Sequence, residues 1–316
     1  MQMMELGESG LMVPPIGVGA MTWGDPAAIP RFNPARLAYG LVGGIDDQPE
    51  ALETSVEAGA GLIDTAAVYG NGESERRVGE LARGKGVLIA TKFPSRFIAG
   101  ATRLPADLHA SLARLQRATV DLYQVHFPSF RSIPRTMALM ADAVRAGKVR
   151  AVGVSNFSAQ QMRLAHRVLA DQGIRLASNQ VQYSLLHRRP EVDGVLDACR
   201  ELRVTLIAYM PLASGALTGK YVASRPSGAM RSRMAQFRSS ALPALRPVLD
   251  LLASIGMRHG KTQGQVALRW LMERGALPIP GARNREQAAH NAGALSFSLS
   301  GDEVAALDAA SQAWRT

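Results

Sequence analysis

The feature that most constrains this chain is one alternation repeated eight times. Short β-branched apolar runs occupy 16–20, 61–65, 87–92, 120–126, 149–155, 177–182, 204–209 and 277–280. Segments with helical spacing alternate with them at 49–58, 73–82, 105–117, 134–146, 159–171, 190–201, 262–274 and 284–294. Near-continuous apolar runs of this length are strands buried on both faces, and strand–helix alternation implies a parallel sheet. Eight such units in 316 residues predict an α/β fold, a (β/α)8 (TIM) barrel, as one domain over 1–316. The rival nucleotide-binding architecture, a doubly wound sheet, needs G-x-G-x-x-G opening a helix. The nearest stretch, "GAGLID" at 59–64, ends in Asp and leads into a strand. Three extras fall outside the repeat: an N-terminal β-hairpin around Gly7–Gly10 and two further helices at 243–259 and 300–314. Loops at 24–47 and 211–242 are long enough to be lids or binding loops.

Composition narrows the function classes. Hydrophobic residues make up 47% and charged residues 20%, as a globular core requires. No apolar run approaches the roughly 18 residues of a membrane helix. The start, "MQMMELGESG", lacks the regions of a signal peptide, so a cytosolic protein with no membrane partner is expected. The lone Cys199 excludes an internal disulfide and a Cys-based metal site. Net charge is +10, but no Arg/Lys run exceeds two residues, so a nucleic-acid partner is not expected. The densest basic stretch, 225–238, reads either as a solvated loop or as a cationic flap over an anionic ligand.

In a (β/α)8 barrel, chemistry sits at the C-terminal ends of the strands. The second strand there ends in Asp64, with Tyr69 five residues on; the third ends in Lys92 and the fourth in His126, followed by Phe127. Lys and Asp are seldom fully buried without a partner, so both at one barrel mouth suggest an ion pair. The set suits proton transfer to an oxygen. A cation beside a tyrosine lowers its pKa. Lys92 can supply that cation, Asp64 can hold it, and His126 can orient the oxygen. His126 has no second His or Cys at ligand spacing, so no metal site is expected.

The stretch "GLIDTAAVYGNGESERRVGE" resembles the aldo-keto reductase signature, and later blocks agree in order: "LIATK", "DLYQVHFP", "AGKVRAVGVSNF", "NQVQYS", "IAYMPLASGALTGKY" and "IPGARNREQAAHN". The resemblance covers nearly the whole chain. It implies an NADPH-dependent carbonyl reductase with Asp64, Tyr69, Lys92 and His126 as catalytic tetrad, and a small-molecule aldehyde or ketone as substrate. It implies NADPH/NADP+ as cofactor. Ser155, Asn156 and Gln180 would hold the nicotinamide amide, and Tyr209 would stack on the ring. Pro211, Leu212, Ser214, Gly215, Leu217 and Lys220 would flank the diphosphate, where small residues let backbone amides come close. Gly281 permits a tight turn, and Asn284 with Gln287 reads as a helix N-cap with a reciprocal side-chain partner. Gln287 and Asn291 then share one helix face. Arg283 there would favour a 2′-phosphate, hence NADP over NAD. Trp23 and Phe127 would wall the substrate pocket, with Phe32, Leu37 and Tyr39 of the first long loop as further wall candidates. Another reading of the same fold is an NADP(H)-binding, redox-sensing regulatory subunit. Oligomeric state and the identity of the carbonyl are open at this level.

Overall fold

Eight parallel strands hydrogen-bond in sequence order to make the barrel. They are β3 (Gly17–Gly19), β4 (Leu62–Asp64), β5 (Leu88–Phe93), β6 (Val120–Val125), β7 (Val149–Ser155), β8 (Leu176–Gln182), β9 (Thr205–Tyr209) and β10 (Leu277–Pro278). The computed structural model describes residues 3–25, 27–28, 45–94, 101–128, 133–221 and 234–316. The strands begin and end within a few residues of the runs read from the sequence. Closure comes at the β3–β10 seam, where Gly19 forms a parallel bridge with Gly281 and its N–H donates to the Pro280 carbonyl at 2.9 Å. A Cβ on Gly19 would lie 3.0 Å from the Ile279 carbonyl oxygen, so the seam closes this tightly on a glycine.

The expected hairpin is present, with β1 (Met4–Glu5) antiparallel to β2 (Met12–Val13). Its residues Leu6, Leu11 and Val13 cap the N-terminal end of the barrel, packing with Leu62, Leu122 and Ile207 of the strands. The much larger apolar layer lies between the strands and the surrounding helices.

The outer helices are α1 (Gln48–Glu57), α2 (Glu73–Leu81), α3 (Leu104–Leu115), α4 (Ile133–Arg145), α5 (Ala159–Ala170), α6 (Val195–Glu201), α7 (Leu242–His259), α8 (Gln263–Glu273), α9 (Arg285–Ala292) and α10 (Gly301–Ala310). Three of them start where the sequence has Ser or Thr followed three residues later by Gln or Glu. Ser158, Thr262 and Ser300 each form the reciprocal capping box. Two expectations need correction. The segment 190–201 is helical only from Val195, because Arg189–Glu191 forms a 3-10 turn and Gly194 adopts φ 80°. And α7, with its preceding turn, is by length and composition long and apolar enough to cross a membrane. Here it lies on the barrel wall, burying Leu245, Val248, Leu249, Leu252 and Ile255. Most of the loop expected at 24–47, with Phe32, Leu37 and Tyr39, and residues 225–233 of the Arg-rich stretch lie outside the described residues.

One irregularity matters for the site. Val152 of β7 pairs with Leu176 of β8, but the next residue, Gly153, pairs with Ser178. Ala177 is therefore an extra residue in β8, a bulge. A side chain changes face at every step along a strand, so this insertion reverses the phase of the strand residues beyond it. Ala177 faces the barrel interior with the hairpin plug, and three residues later Gln180 faces the interior as well, bonded to Asp64.

Candidate active site

Asp64, Lys92 and Gln124 come from adjacent strands at the C-terminal end of the barrel and are 3%, 0% and 0% exposed. A buried ammonium needs acceptors, and Lys92 has three. Its Nζ donates to Asp64 Oδ2 at 2.5 Å, to the Thr65 carbonyl at 2.9 Å and to the Tyr69 hydroxyl at 3.4 Å. All three N–H donors are thus used. Burial alone would push the Lys92 pKa down; the Asp64 carboxylate and Tyr69 outweigh it and leave the ammonium raised above its ordinary value. Lys92 is charged throughout the working range.

Tyr69 reaches this ammonium because the chain turns sharply after β4. Gly70 and Asn71 both have φ 58°, and Gly72 has φ 91°. Three successive left-handed residues suit Gly and Asn, and they reverse the chain between the strand and α2. The turn is pinned below. Ser74 Oγ donates to the Ala20 carbonyl at 2.6 Å and lies 2.7 Å from Thr65 Oγ1. Glu75, fully buried, accepts from Thr91 Oγ1 at 2.6 Å and from Arg114 Nε at 2.6 Å. These bonds fix α2 to the residues immediately beside Asp64 and Lys92.

His126 sits edge-on to Tyr69, ring centroids 5.8 Å apart, and stacks parallel on Phe127 at 4.7 Å. Burial, helped by the Lys92 charge, lowers its pKa to about 3. The imidazole is therefore neutral. Its Nδ1 is buried with no hydrogen-bond partner among the described residues. Phe127 is 54% exposed, and Val68, beside Tyr69, is 46% exposed, so the described residues give this pocket an apolar edge.

The other expected residues gather around this centre in two groups. Ser155 Oγ donates to the Gln180 carbonyl at 2.8 Å; Asn156 Nδ2 donates to the His126 carbonyl at 3.1 Å; the Tyr209 hydroxyl donates to Asn156 Oδ1 at 3.0 Å. Asn156 adopts φ 61°, a conformation Asn tolerates better than most residues. Gln180 differs from expectation in its partner: its Nε2 donates to Asp64 Oδ1 at 2.8 Å, tying it to the tetrad. In the loop after β9, Met210, Ala213, Ser214 and Gly215 all have positive φ. The amides of Ala213, Gly215 and Leu217 close turns within the loop, on the carbonyls of Met210 and Leu212. The small residues there serve the loop's own folding. Pro211 is buried and Lys220 exposed.

The second group is the turn into α9. Asn284 caps the helix by accepting from the Gln287 N–H at 3.0 Å, as expected. The reciprocal bond goes elsewhere, since Gln287 Oε1 accepts from the Arg283 N–H at 3.0 Å. Asn291 Nδ2 donates to the Gly281 carbonyl at 3.2 Å. Gln287 and Asn291 thus share a face and shape the turn that carries Arg283. Trp23 is fully buried, its indole N–H on the Ala282 carbonyl at 2.6 Å. It braces this same turn from inside the core. Gln124, Ser74 and Glu75 are the residues that sequence reasoning passed over.

The donor set fits a phosphorylated dinucleotide. Amide and hydroxyl groups cluster beside the tetrad, while Arg283 and the N-terminus of α9, a favourable place for phosphate, lie at the β3–β10 seam. Known proteins agree. The family model described as "Aldo/keto reductase family" matches residues 15–312. A chloroplastic pyridoxal reductase from Arabidopsis thaliana is 37% identical, over 96% of this chain and 84% of its own length. An aldo-keto reductase from Strobilurus tenacellus is 32% identical, over 96% of this chain and 90% of its own. Among solved structures, an aldo-keto reductase from Klebsiella pneumoniae in complex with NADPH superposes with a TM-score of 0.75 at 28% identity, covering 100% of this chain and 96% of that one. A glycerol dehydrogenase from Gluconobacter oxydans gives 0.82 at 26% identity, covering 98% and 94%. The chain belongs to the aldo/keto reductase family, and is an NADP-dependent oxidoreductase acting on carbonyl groups.

Proposed function

We propose that this protein, as one barrel domain over 1–316, reduces an aldehyde or ketone to the alcohol with Tyr69 as general acid. The observation that carries the reading is the placement of Lys92 Nζ 3.4 Å from the Tyr69 hydroxyl, with Asp64 on its far side at 2.5 Å. NADPH, when bound, supplies the hydride. Everything else falls to the chain. Ser155, Asn156 and Tyr209 seat the nicotinamide end, and Arg283, Gln287 and Asn291 the phosphate end. Neutral His126 orients the carbonyl oxygen with a hydrogen bond. Tyr69 gives that oxygen its proton, and Lys92 stabilises the phenolate left behind.

The substrate class is set by the rim. The exposed Phe127 ring, parallel to His126, favours a carbonyl borne on a flat, largely apolar group. Similarity to the Arabidopsis pyridoxal reductase supports an aromatic aldehyde.

Tyr69→Phe tests the acid role. Turnover of an aromatic aldehyde panel is expected to fall by about 10³-fold or more, with NADPH affinity nearly intact. A variant keeping most of its kcat refutes Tyr69 as proton donor. Tight NADPH binding by the wild type without turnover of any carbonyl favours the redox-sensing alternative.

A further inference from the structure

The tetrad accounts for one oxygen of Asp64 and leaves the other unexplained. Oδ2 faces Lys92. Oδ1 faces the barrel axis, where it accepts from Gln180 Nε2 at 2.8 Å and from Gln124 Nε2 at 3.2 Å. The two amides also meet each other, Gln180 Nε2 lying 3.4 Å from Gln124 Oε1. Gln124 is completely buried, on a strand position paired with Lys92 on one side and Gly153 on the other. The space for it is built. A Cβ on Gly153 would lie 2.9 Å from Gln124 Cγ and collide with Ser178 Oγ. The bulge in β8 supplies the second amide by turning Gln180 inward.

We propose that Gln124 is a positioning residue for proton transfer: with Gln180 it occupies Oδ1 of Asp64, keeps Oδ2 on Lys92, and so sets how strongly Lys92 acts on the Tyr69 hydroxyl. The inference rests on the proposed acid role of Tyr69. Among the described residues, the groups that face Tyr69 include Lys92 from β5, Asp64 behind it from β4, His126 after β6 and Tyr209 at the end of β9. His126 is neutral, its pKa lowered to about 3 by burial. Tyr209 is kept protonated, its pKa raised by burial and by Tyr69. Of these groups, the Asp64–Lys92 pair carries the charge. Each amide N–H on Oδ1 draws off part of the carboxylate's charge. Removing one leaves Asp64 to cancel more of the Lys92 field, and the phenolate form of Tyr69 becomes less favourable.

The test is an ultraviolet titration of tyrosinate in the full-length protein, with Tyr69→Phe as the blank that isolates the Tyr69 signal. Gln124→Met conserves volume and removes the donor; Gln124→Leu removes it as well. The Tyr69 midpoint is expected to move up in both. The alkaline limb of the kcat profile should move with it, kcat should fall about tenfold, and the NADPH dissociation constant should hold within about twofold. If Gln124→Met fails to fold, Gln124→Leu carries the same expectation. An unmoved Tyr69 midpoint in the folded variants overturns the proposal, whatever their melting temperatures. Full turnover by Tyr69→Phe instead sinks the acid reading, a result the Gln124 titrations do not mimic.

Discussion

The imidazole of His126 titrates near pH 3 because its ring is enclosed and a fixed cation stands nearby. In the unfolded chain the same ring titrates near 6.5. Between those values the unfolded chain binds a proton that the native state refuses. Stability is therefore fully present above about 6.5 and falls as the pH drops toward 3. Replacing His126 by Gln is expected to flatten the melting temperature against pH across that window; an unchanged slope contradicts a buried neutral imidazole. Arg283 poses a different residue-scale question. Its backbone N–H is fixed by Gln287, which holds the residue just ahead of the N-terminus of α9. Arg283→Ala is expected to weaken NADPH about tenfold more than NADH, since only the former carries the 2′-phosphate. Equal losses in cofactor titrations contradict that role. Asp64, Lys92 and His126 were readable as a group because each closes an apolar strand run, with Tyr69 five residues past the first. Gln124 was not, because its partner Asp64 lies 60 residues away and only the barrel brings them together. The bracing role of Trp23 was hidden for a related reason: its partner Ala282 is 259 residues distant.

At the scale of elements, α2 is held by charge as well as by packing. Glu75 is fully buried on its inward face, and its carboxylate depends on Arg114 of α3 and Thr91 of β5. Taking one partner from a buried ion pair leaves the other's charge without compensation. Arg114→Ala is expected to cost about 3 kcal/mol in denaturant unfolding, and adding Glu75→Gln to recover part of that loss. Additive losses in the double variant contradict the pairing. The elements themselves were legible where local chemistry decides. Apolar runs gave the strands, and Ser158, Thr262 and Ser300 gave three helix starts. Where tertiary contacts decide, the sequence was silent. The 3-10 turn at Arg189–Glu191 stands in place of helix because Arg188 is drawn to Glu191, Asp308 and the Trp314 carbonyl of the C-terminal segment. The extra residue Ala177 in β8 leaves no mark in an apolar run, yet it decides that Gln180 turns inward.

Across the whole molecule the barrel separates two tasks along its axis. The C-terminal end gathers the polar set around Asp64. The N-terminal end is closed by an apolar plug from the hairpin, where Leu6 and Val13 are fully buried against strand residues. No side chain of the plug bonds to the tetrad among the described residues, and Leu62, Leu122 and Ile207 lie between the two ends. Stability and chemistry should therefore respond independently to change at the plug. Leu6→Ala removes a completely buried side chain that the rigid strand ends cannot close over. It is expected to cost about 3 kcal/mol in unfolding free energy. Turnover per folded molecule, measured well below the melting transition, should stay within about twofold of wild type, because nothing that positions Lys92 or Tyr69 has moved. A large fall in kcat at full folding would mean that the plug reaches the site through the strands. The first place to look would be the bulge at Ala177, a strand residue that packs in the plug and also sets the phase of Gln180.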